Sequence, residues 1–142
     1  MSSLQIEIQL GQLASMPVKA YDTDAGFDLA CVESVWVPPD TTVDVAAGFA
    51  IGMPPGWWGR IVGRSSTVRK RKLMVIEGVI DAGFRGELFT CVYNPGNKPV
   101  QIRSGERLAQ LLFLPVPTVH WHEVRELSTS ERGVNGFGSS GR

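Results

Sequence analysis

The sequence predicts an all-β sandwich or barrel, and three observations support that prediction. Short apolar runs of strand length recur along the whole chain. Turn-forming residues separate these runs, as they do between antiparallel strands. Sixteen glycines and nine prolines are scattered through the 142 residues, so no long helix fits between them. Many short strands at regular spacing are typical of a sandwich or barrel.

The predicted strands follow one another closely. In the first, Leu4, Ile6, Ile8 and Leu10 alternate with polar residues, which is the period-2 pattern of a half-buried strand. Further strands are predicted over residues 35–37, 42–45, 57–62, 88–93 and 108–114. The turns between them are predicted at Pro38-Pro39-Asp40, Pro54-Pro55-Gly56 and Asn94-Pro95-Gly96-Asn97.

One short helix and a C-terminal arm complete the predicted organisation. The helix covers residues 65–72, where Ser65 and Ser66 could cap its first turn. After Leu127 the sequence becomes rich in serine and then in glycine, with little apolar mass to bury. We therefore expect a β domain over residues 1–127 and an arm over residues 128–142, mobile unless a ligand or a neighbouring chain orders it.

The bulk composition excludes several classes of protein. With 43% apolar and 20% charged residues, the chain suits one soluble domain. A formal net charge of +0 argues against a dedicated nucleic-acid binder, and the basic run Arg69-Lys70-Arg71-Lys72 is better interpreted as a solvated face. No apolar run approaches the ~20 residues of a membrane helix, and the N-terminus does not resemble a signal peptide. We expect a cytoplasmic protein with no membrane or nucleic-acid partner.

Three local segments have the residue types of a phosphate site. In Gly63-Arg64-Ser65-Ser66, the arginine fork, the hydroxyls and the free amides of a helix start could bind phosphate oxygens. Arg132 opens a flexible arm, through Gly141, that could close over a charged ligand. Asp81 stands between an apolar strand end and a glycine turn, where it could activate water. Taken singly, the first segment could equally be a capped helix, and the other two would more often be a disordered tail and a turn.

The order of these segments is more informative than any one of them. Together with Ala25-Gly26-Phe27-Asp28-Leu29 and Gly105-Glu106-Arg107-Leu108-Ala109-Gln110-Leu111-Leu112-Phe113, they resemble the five ordered motifs of the trimeric dUTP diphosphatase (dUTPase) family, over about residues 25–141. The resemblance implies a distorted jelly-roll β fold and a homotrimer whose active sites are shared between subunits. It implies Mg²⁺-dependent hydrolysis of dUTP to dUMP and pyrophosphate, which removes dUTP and supplies dUMP for thymidylate synthesis.

The resemblance also implies roles for individual residues. Asp81 would accept a proton from the water that attacks the α-phosphorus, and Asp28 would support the phosphate-binding residues. Because Mg²⁺ prefers phosphate oxygens and water to an all-protein cage, we expect it to be held through the substrate, with no direct side-chain ligands. The expected substrate-binding residues are Arg64, Ser65, Ser66, Val75, Val79, Ile80, Phe84, Phe89, Gln110, Arg132, Phe137, Gly138 and Ser139.

Base and sugar selection follow from the same resemblance. Uracil would lie against a β-hairpin over residues 73–80, read mainly by backbone groups, with Val75 at the base. Phe84 replaces the tyrosine usual in the family, and its ring is expected to pack under the deoxyribose and exclude a 2′-hydroxyl. Phe137 would stack on uracil, and Arg132 would reach the γ-phosphate from a third subunit.

Two alternatives remain open at this point. Gly63-Arg64-Ser65-Ser66 resembles the sister dCTP deaminases, so a deaminase or a bifunctional deaminase-diphosphatase is one of them. Those enzymes carry a glutamate ten residues after the aspartate, where this chain has Cys91, whose thiol cannot replace a carboxylate in proton transfer at neutral pH. The other alternative is a non-catalytic module that binds nucleotides or a protein, which would leave Asp81 and the complete arm unexplained.

Overall fold

The computed structural model describes residues 3–136 and 138, and in them the chain forms ten β-strands and one short helical turn. The all-β prediction is therefore confirmed. The strands are β1 (Glu7–Leu10), β2 (Phe27–Ala30), β3 (Val35–Val37), β4 (Thr41–Gly52), β5 (Trp57–Gly63), β6 (Met74–Ile76), β7 (Gly78–Ile80), β8 (Glu87–Asn94), β9 (Val100–Ile102) and β10 (Arg107–Pro115).

Two four-stranded antiparallel sheets form the body of the fold. One has the order β1-β4-β8-β6 and the other the order β2-β10-β5-β7, while β3 and β9 form a small two-stranded sheet. The main apolar core includes Phe49, Ile61 and Leu111, each at most 4% exposed. A second cluster around Val37 and Ile102 fills the space next to the small sheet. Inward-facing apolar residues of the strands thus supply the burial that stabilises the fold.

Strand β4 is much longer than the predicted strand over residues 42–45. It pairs with β8 over Thr41–Ala46 and again at Ala50, with a register shift between these two residues, and it pairs with β1 over Phe49–Gly52. Gly48 lies in that shift with φ of 81°, and a Cβ there would lie 2.5 Å from Val32 Cγ1. A β-bulge of this kind requires glycine and bends the strand so that it can pair on both sides.

The helix predicted over residues 65–72 is present as a short turn, with π geometry over Thr67–Arg71. The predicted capping by serine is wrong, because Ser66 makes no side-chain hydrogen bond to the turn. The turn ends at Lys72, which adopts the left-handed φ of 55° that more often belongs to glycine.

The hairpin predicted over residues 73–80 is also wrong as a pairing. Strand β6 pairs with β8, whereas β7 pairs with β5 in the other sheet. The chain crosses from one sheet to the other at Glu77, which lies between the two strands. The local sequence could not reveal this crossing, since two short apolar runs separated by the two residues Glu77-Gly78 also suit a tight hairpin.

After β10 the described residues form no further strand, and the side chains of residues 116–136 are exposed. Trp121 is 96% exposed and Leu127 is 87% exposed, so the segment presents apolar surface away from the core. The boundary at residue 127 therefore stays a prediction. Within residues 3–136 and 138, no helix combines the length and the apolar character needed to cross a bilayer.

Candidate functional site

Strand pairing brings Asp28, Arg64 and Gln110 together. Strand β10 lies between β2 and β5, so Gln110 is opposite Asp28 on one side and Val62 on the other. Arg64 follows directly after β5, and its Nε lies 3.2 Å from Asp28 Oδ1. Residues that are far apart in sequence therefore meet at one end of this sheet.

The carboxylate of Asp28 lies between two arginines, Arg64 and Arg107. Its side chain is only 12% exposed, and Arg107 Nη1 lies 3.6 Å from Oδ2 on the other side of the carboxylate from Arg64. Arg64 Nη1 also donates to the Arg107 carbonyl at 2.9 Å. Because the guanidinium of Arg64 is held by the carboxylate and the carbonyl, its orientation is fixed before any anion arrives.

Gln110 is positioned by two glycines. Its Nε2 donates to the Gly63 carbonyl at 3.4 Å. A Cβ on Gly26 would lie 2.8 Å from Gln110 Oε1, so a larger residue there would displace the amide from its present position. The first of the five motifs thus contributes backbone space as well as the Asp28 carboxylate.

A cavity of about 450 Å³ opens beside these residues. Four of the side chains around it are cationic, and Glu106 is the one carboxylate among them. Such a lining attracts an anion with several charges. The lining residues are Arg64, Ser66, Thr67, Lys70, Arg71, Gly105, Glu106, Arg107 and Leu108.

Three cations of this lining, Lys70, Arg71 and Arg107, were not among the expected site residues. Arg107 lies inside the motif that supplied Gln110, so the motif itself was a signal for it. Lys70 lies in the basic run that was interpreted as a solvated face. Only the fold shows which of the four basic residues turn towards the cavity.

The helical turn beside the cavity is tied to β10 and to the turn before it. Thr67, which is 2% exposed, donates from Oγ1 to the Leu108 carbonyl at 2.6 Å. Arg71 forms a two-pronged ion pair with Glu106, with Nε 2.7 Å and Nη2 3.1 Å from the carboxylate oxygens. These contacts fix the turn that carries Ser65 and Ser66 against the strand that carries Gln110.

The Thr67 hydroxyl should therefore contribute measurably to stability. We expect Thr67→Val, which keeps the shape and removes the hydrogen bond, to lower the free energy of unfolding by about 1–2 kcal/mol. Urea denaturation measures this change. The matched control is Thr41→Val, since the Thr41 hydroxyl donates to Pro39 in an exposed turn, and a shift within about 0.5 kcal/mol is expected there. Equal losses of unfolding free energy in the two variants would contradict this role of the Thr67 hydroxyl.

Asp81 lies in a well-braced loop after β7. The amide of Phe84 donates to the Asp81 carbonyl at 3.0 Å, and Arg85 Nη1 donates to the carbonyls of Ala82 at 2.6 Å and Phe84 at 3.0 Å. The Phe84 ring lies over Gly86, where a Cβ would be 2.5 Å from the ring. Both Asp81 and Phe84 are exposed, so their side chains are available to a ligand.

Within one chain, however, Asp81 and Arg64 lie far apart. Strands β5 and β7 are antiparallel, with Gly59 opposite Ile80, so Asp81 falls beside Trp58. Arg64 is six residues further along β5. At about 3.3 Å per residue, the two lie roughly 20 Å apart along the strand. A single chain therefore does not bring the expected base to the expected phosphate site.

The residues expected near the base occupy different environments. Val75 is half-buried against Gly63, and Ile80 packs on the main core and on Gly59. Their side chains therefore face inward, which leaves their backbone groups as the possible contacts. Val79 is 62% exposed on β7, and Phe89 is 47% exposed on β8.

The arm residues are described only in part. Arg132 donates from Nε to the Asn135 carbonyl at 2.7 Å and from Nη2 to the Gly136 carbonyl at 3.0 Å, so its guanidinium closes a turn of the arm itself. Gly138 has φ of 83°. Phe137 and Ser139 lie outside the described residues.

The environment of Cys91 bears on the deaminase alternative. Burial, and then the neighbouring Asp44 carboxylate, raise the pKa of the Cys91 thiol. The thiol therefore stays protonated at neutral pH and offers no base at the position where a dCTP deaminase carries glutamate.

Comparison with known proteins gives one family. A family model described as dUTPase matches residues 12–141. The deoxyuridine 5′-triphosphate nucleotidohydrolase of Corynebacterium diphtheriae is 43% identical over 129 residues, covering 89% of this chain and 85% of that protein. The protein of the same name from Paramecium bursaria Chlorella virus 1 is 38% identical and covers 99% of both. The Staphylococcus bacteriophage 80alpha dUTPase with dUPNHPP has a TM-score of 0.91, 30% identity, and coverage of 97% of this chain and 99% of that one.

Proposed function

Because the chain belongs to the dUTPase family, we propose that it hydrolyses dUTP to dUMP and pyrophosphate, with Asp81 activating the water that attacks the α-phosphorus. The observation that carries the proposal is the cationic cavity beside Arg64, built on the pair of arginines that Asp28 holds. A nucleoside triphosphate has the charge, and the row of phosphate oxygens, that such a cavity favours.

The phosphate chain lies against Arg64, Ser65, Ser66 and Gln110. Arg64 offers a charged fork that Asp28 already orients, so little reorganisation is needed on binding. Ser66 lines the cavity and Ser65 is exposed next to it, and both supply hydroxyl donors. The braced turn beneath them keeps these donors in one arrangement.

Each active site combines residues of different copies of the chain. Asp81 lies about 20 Å from Arg64 within one chain along the strand, so the base must come from a neighbouring copy. A closed homotrimer repeats this arrangement three times by a heterologous interface. The exposed apolar side chains of Val79, Phe89 and Trp121 support an assembly, because other copies would cover them.

The reaction is an in-line displacement. Asp81 accepts a proton from a water placed between its carboxylate and the α-phosphorus, and the oxygen of that water attacks. The bond from the α-phosphorus to the bridging oxygen breaks, and pyrophosphate leaves. The guanidinium of Arg64 stabilises the negative charge that develops on the phosphate oxygens. The braced loop of residues 81–84 keeps the carboxylate in position without a conformational change.

The cavity suits a magnesium ion that arrives on the triphosphate. Its lining presents four cations, and its single carboxylate, Glu106, is already paired with Arg71. Phosphate oxygens and water, which Mg²⁺ prefers as ligands, would therefore hold it, rather than side chains. When bound, the ion neutralises charge on the departing pyrophosphate.

Uracil and deoxyribose are selected on the side of Asp81. Since Ile80 faces inward on β7, the base meets the backbone of this strand, and a 5-methyl group has no room against it. Val75 packs against Gly63 and so lies at the Arg64 end of its own chain, away from Asp81. The Phe84 ring, fixed over Gly86, packs under the sugar and leaves no space for a 2′-hydroxyl. Val79 and Phe89 complete the contacts.

The arm closes the site from a third copy. Phe137 stacks on uracil, Gly138 and Ser139 follow the phosphate chain, and Arg132 exchanges its carbonyl partners within the arm for the γ-phosphate. Closure excludes water other than the attacking one and completes the charge clamp.

A nucleotide panel tests this function. With dUTP, dTTP, dCTP and UTP, we expect kcat/KM for dUTP to exceed each of the others by at least about tenfold, with dUMP and pyrophosphate as products. Rapid cleavage of dTTP would contradict base recognition by the backbone, and comparable cleavage of UTP would contradict the role of Phe84. Conversion of dCTP to a uracil nucleotide would favour a deaminase. Binding of dUTP without release of pyrophosphate would favour a non-catalytic module.

A further inference from the structure

The fold separates the four basic residues of the run Arg69-Lys70-Arg71-Lys72. Arg71 is held by Glu106, and Lys72 donates to the Arg69 carbonyl at 2.8 Å. Among the residues that the structure describes, neither Arg69 nor Lys70 forms an ion pair. Of these two, only Lys70 lines the cationic cavity.

We propose that Lys70 is a further phosphate-binding residue, which contacts the terminal phosphates of dUTP and the pyrophosphate product. The inference rests on the proposed function, and it adds a residue that lies beyond the segment Gly63-Arg64-Ser65-Ser66. Lys70 shares the cavity with Arg64 and Ser66, so an anion held there is within reach of its flexible side chain.

The charges around the cavity leave this role open for Lys70. Arg64 and Arg107 share the Asp28 carboxylate, and Arg71 is paired with Glu106. Among the four cations of the lining, Lys70 is thus the one that forms no ion pair with a carboxylate of the described residues. An unpaired charge beside an anion site contributes fully to attracting and holding a ligand, less the screening by solvent and salt.

The chemistry of the two kinds of cation suggests a division of tasks. Arg64 is fixed by Asp28 and by the Arg107 carbonyl, so it can hold a phosphate in one place. A lysine ammonium is a point charge on a long stem with rotating donors. Lys70 can therefore stay with the terminal phosphates as the bond to the α-phosphorus breaks and they move away as pyrophosphate.

The test compares Lys70→Gln with Arg69→Gln, which removes the neighbouring charge of the same turn. We expect Lys70→Gln to raise KM for dUTP and the inhibition constant of pyrophosphate by about three- to tenfold, with kcat changed by less than about twofold. Arg69→Gln should leave both constants within about twofold. Lys70→Arg, which keeps the charge, should restore most of the affinity.

Two outcomes would overturn the inference. One is that Lys70→Gln and Arg69→Gln have the same KM for dUTP and the same inhibition constant of pyrophosphate. The other is that Lys70→Gln lowers kcat and the melting temperature without changing KM, since that result indicates a purely structural residue. Wild-type protein that does not cleave dUTP would defeat the proposed function instead. In that case calorimetry with pyrophosphate alone still decides about Lys70, because a cavity that holds the anion through this side chain loses affinity in Lys70→Gln and not in Arg69→Gln.

Discussion

Replacement of Asp81 by asparagine is expected to lower kcat for dUTP by about 10²–10⁴-fold, because the amide cannot accept the proton of the attacking water. Affinity for dUPNHPP should stay within about threefold of wild type, since the phosphate chain is held by other residues, Arg64 among them. Pyrophosphate release measures the first quantity and calorimetry the second. The combination separates a lost base from a lost binding site.

A matched substitution controls for the loss of one negative charge. Asp44 is exposed on β4, and Asp44→Asn should keep kcat within about twofold of wild type. If Asp81→Asn kept most of its activity, or if it no longer bound dUPNHPP, the assignment of Asp81 as the base would be wrong. The loop itself should tolerate the change, because Arg85 and the Phe84 amide brace it through backbone carbonyls rather than through the carboxylate.

The local pattern of apolar and polar residues predicted much of the fold. The alternation in the first predicted strand placed Leu4, Ile6, Ile8 and Leu10 on the half-buried side; the structure half-buries the first three, whereas Leu10 is 41% exposed. The pattern failed at β4 because Ala46, Ala47 and Gly48 are too small to show the alternation that their burial follows, so the strand seemed to end at Val45. It failed again at Glu77, because the choice between pairing β6 with β7 and sending them to different sheets depends on β5 and β8.

The candidate site shows the same division. Motif order identified Asp28, Arg64 and Gln110, yet nothing in their spacing predicts that they meet, since the contact follows from β10 lying between β2 and β5. Lys70 could not be separated from its basic neighbours, because the direction of each side chain depends on a turn with π geometry. The distance between Asp81 and Arg64 is likewise a property of strand direction.

The distance between Asp81 and Arg64 within one chain leads to a prediction for trimers that contain two different variants. Arg64→Gln and Asp81→Asn should each be nearly inactive alone, but purified assemblies that contain both variants should regain about one third of wild-type activity, because in such a closed trimer one site of the three takes an intact Arg64 from one copy and an intact Asp81 from the next. Different affinity tags on the two chains allow mixed assemblies to be purified in two steps, and dUTP cleavage is then measured on them.

The control combines two substitutions at residues that one chain contributes to the same site. Arg64 and Gln110 come from one chain, so a mixture of Arg64→Gln with Gln110→Ala always leaves one lesion in each site. Its activity should not exceed the average of the two variants. If the mixture of Arg64→Gln with Asp81→Asn did no better than this control, the base and the phosphate clamp would have to lie in one chain. Strand β7 would then need a different register or a different partner from β5, because with Gly59 opposite Ile80 the two groups cannot meet without a second copy.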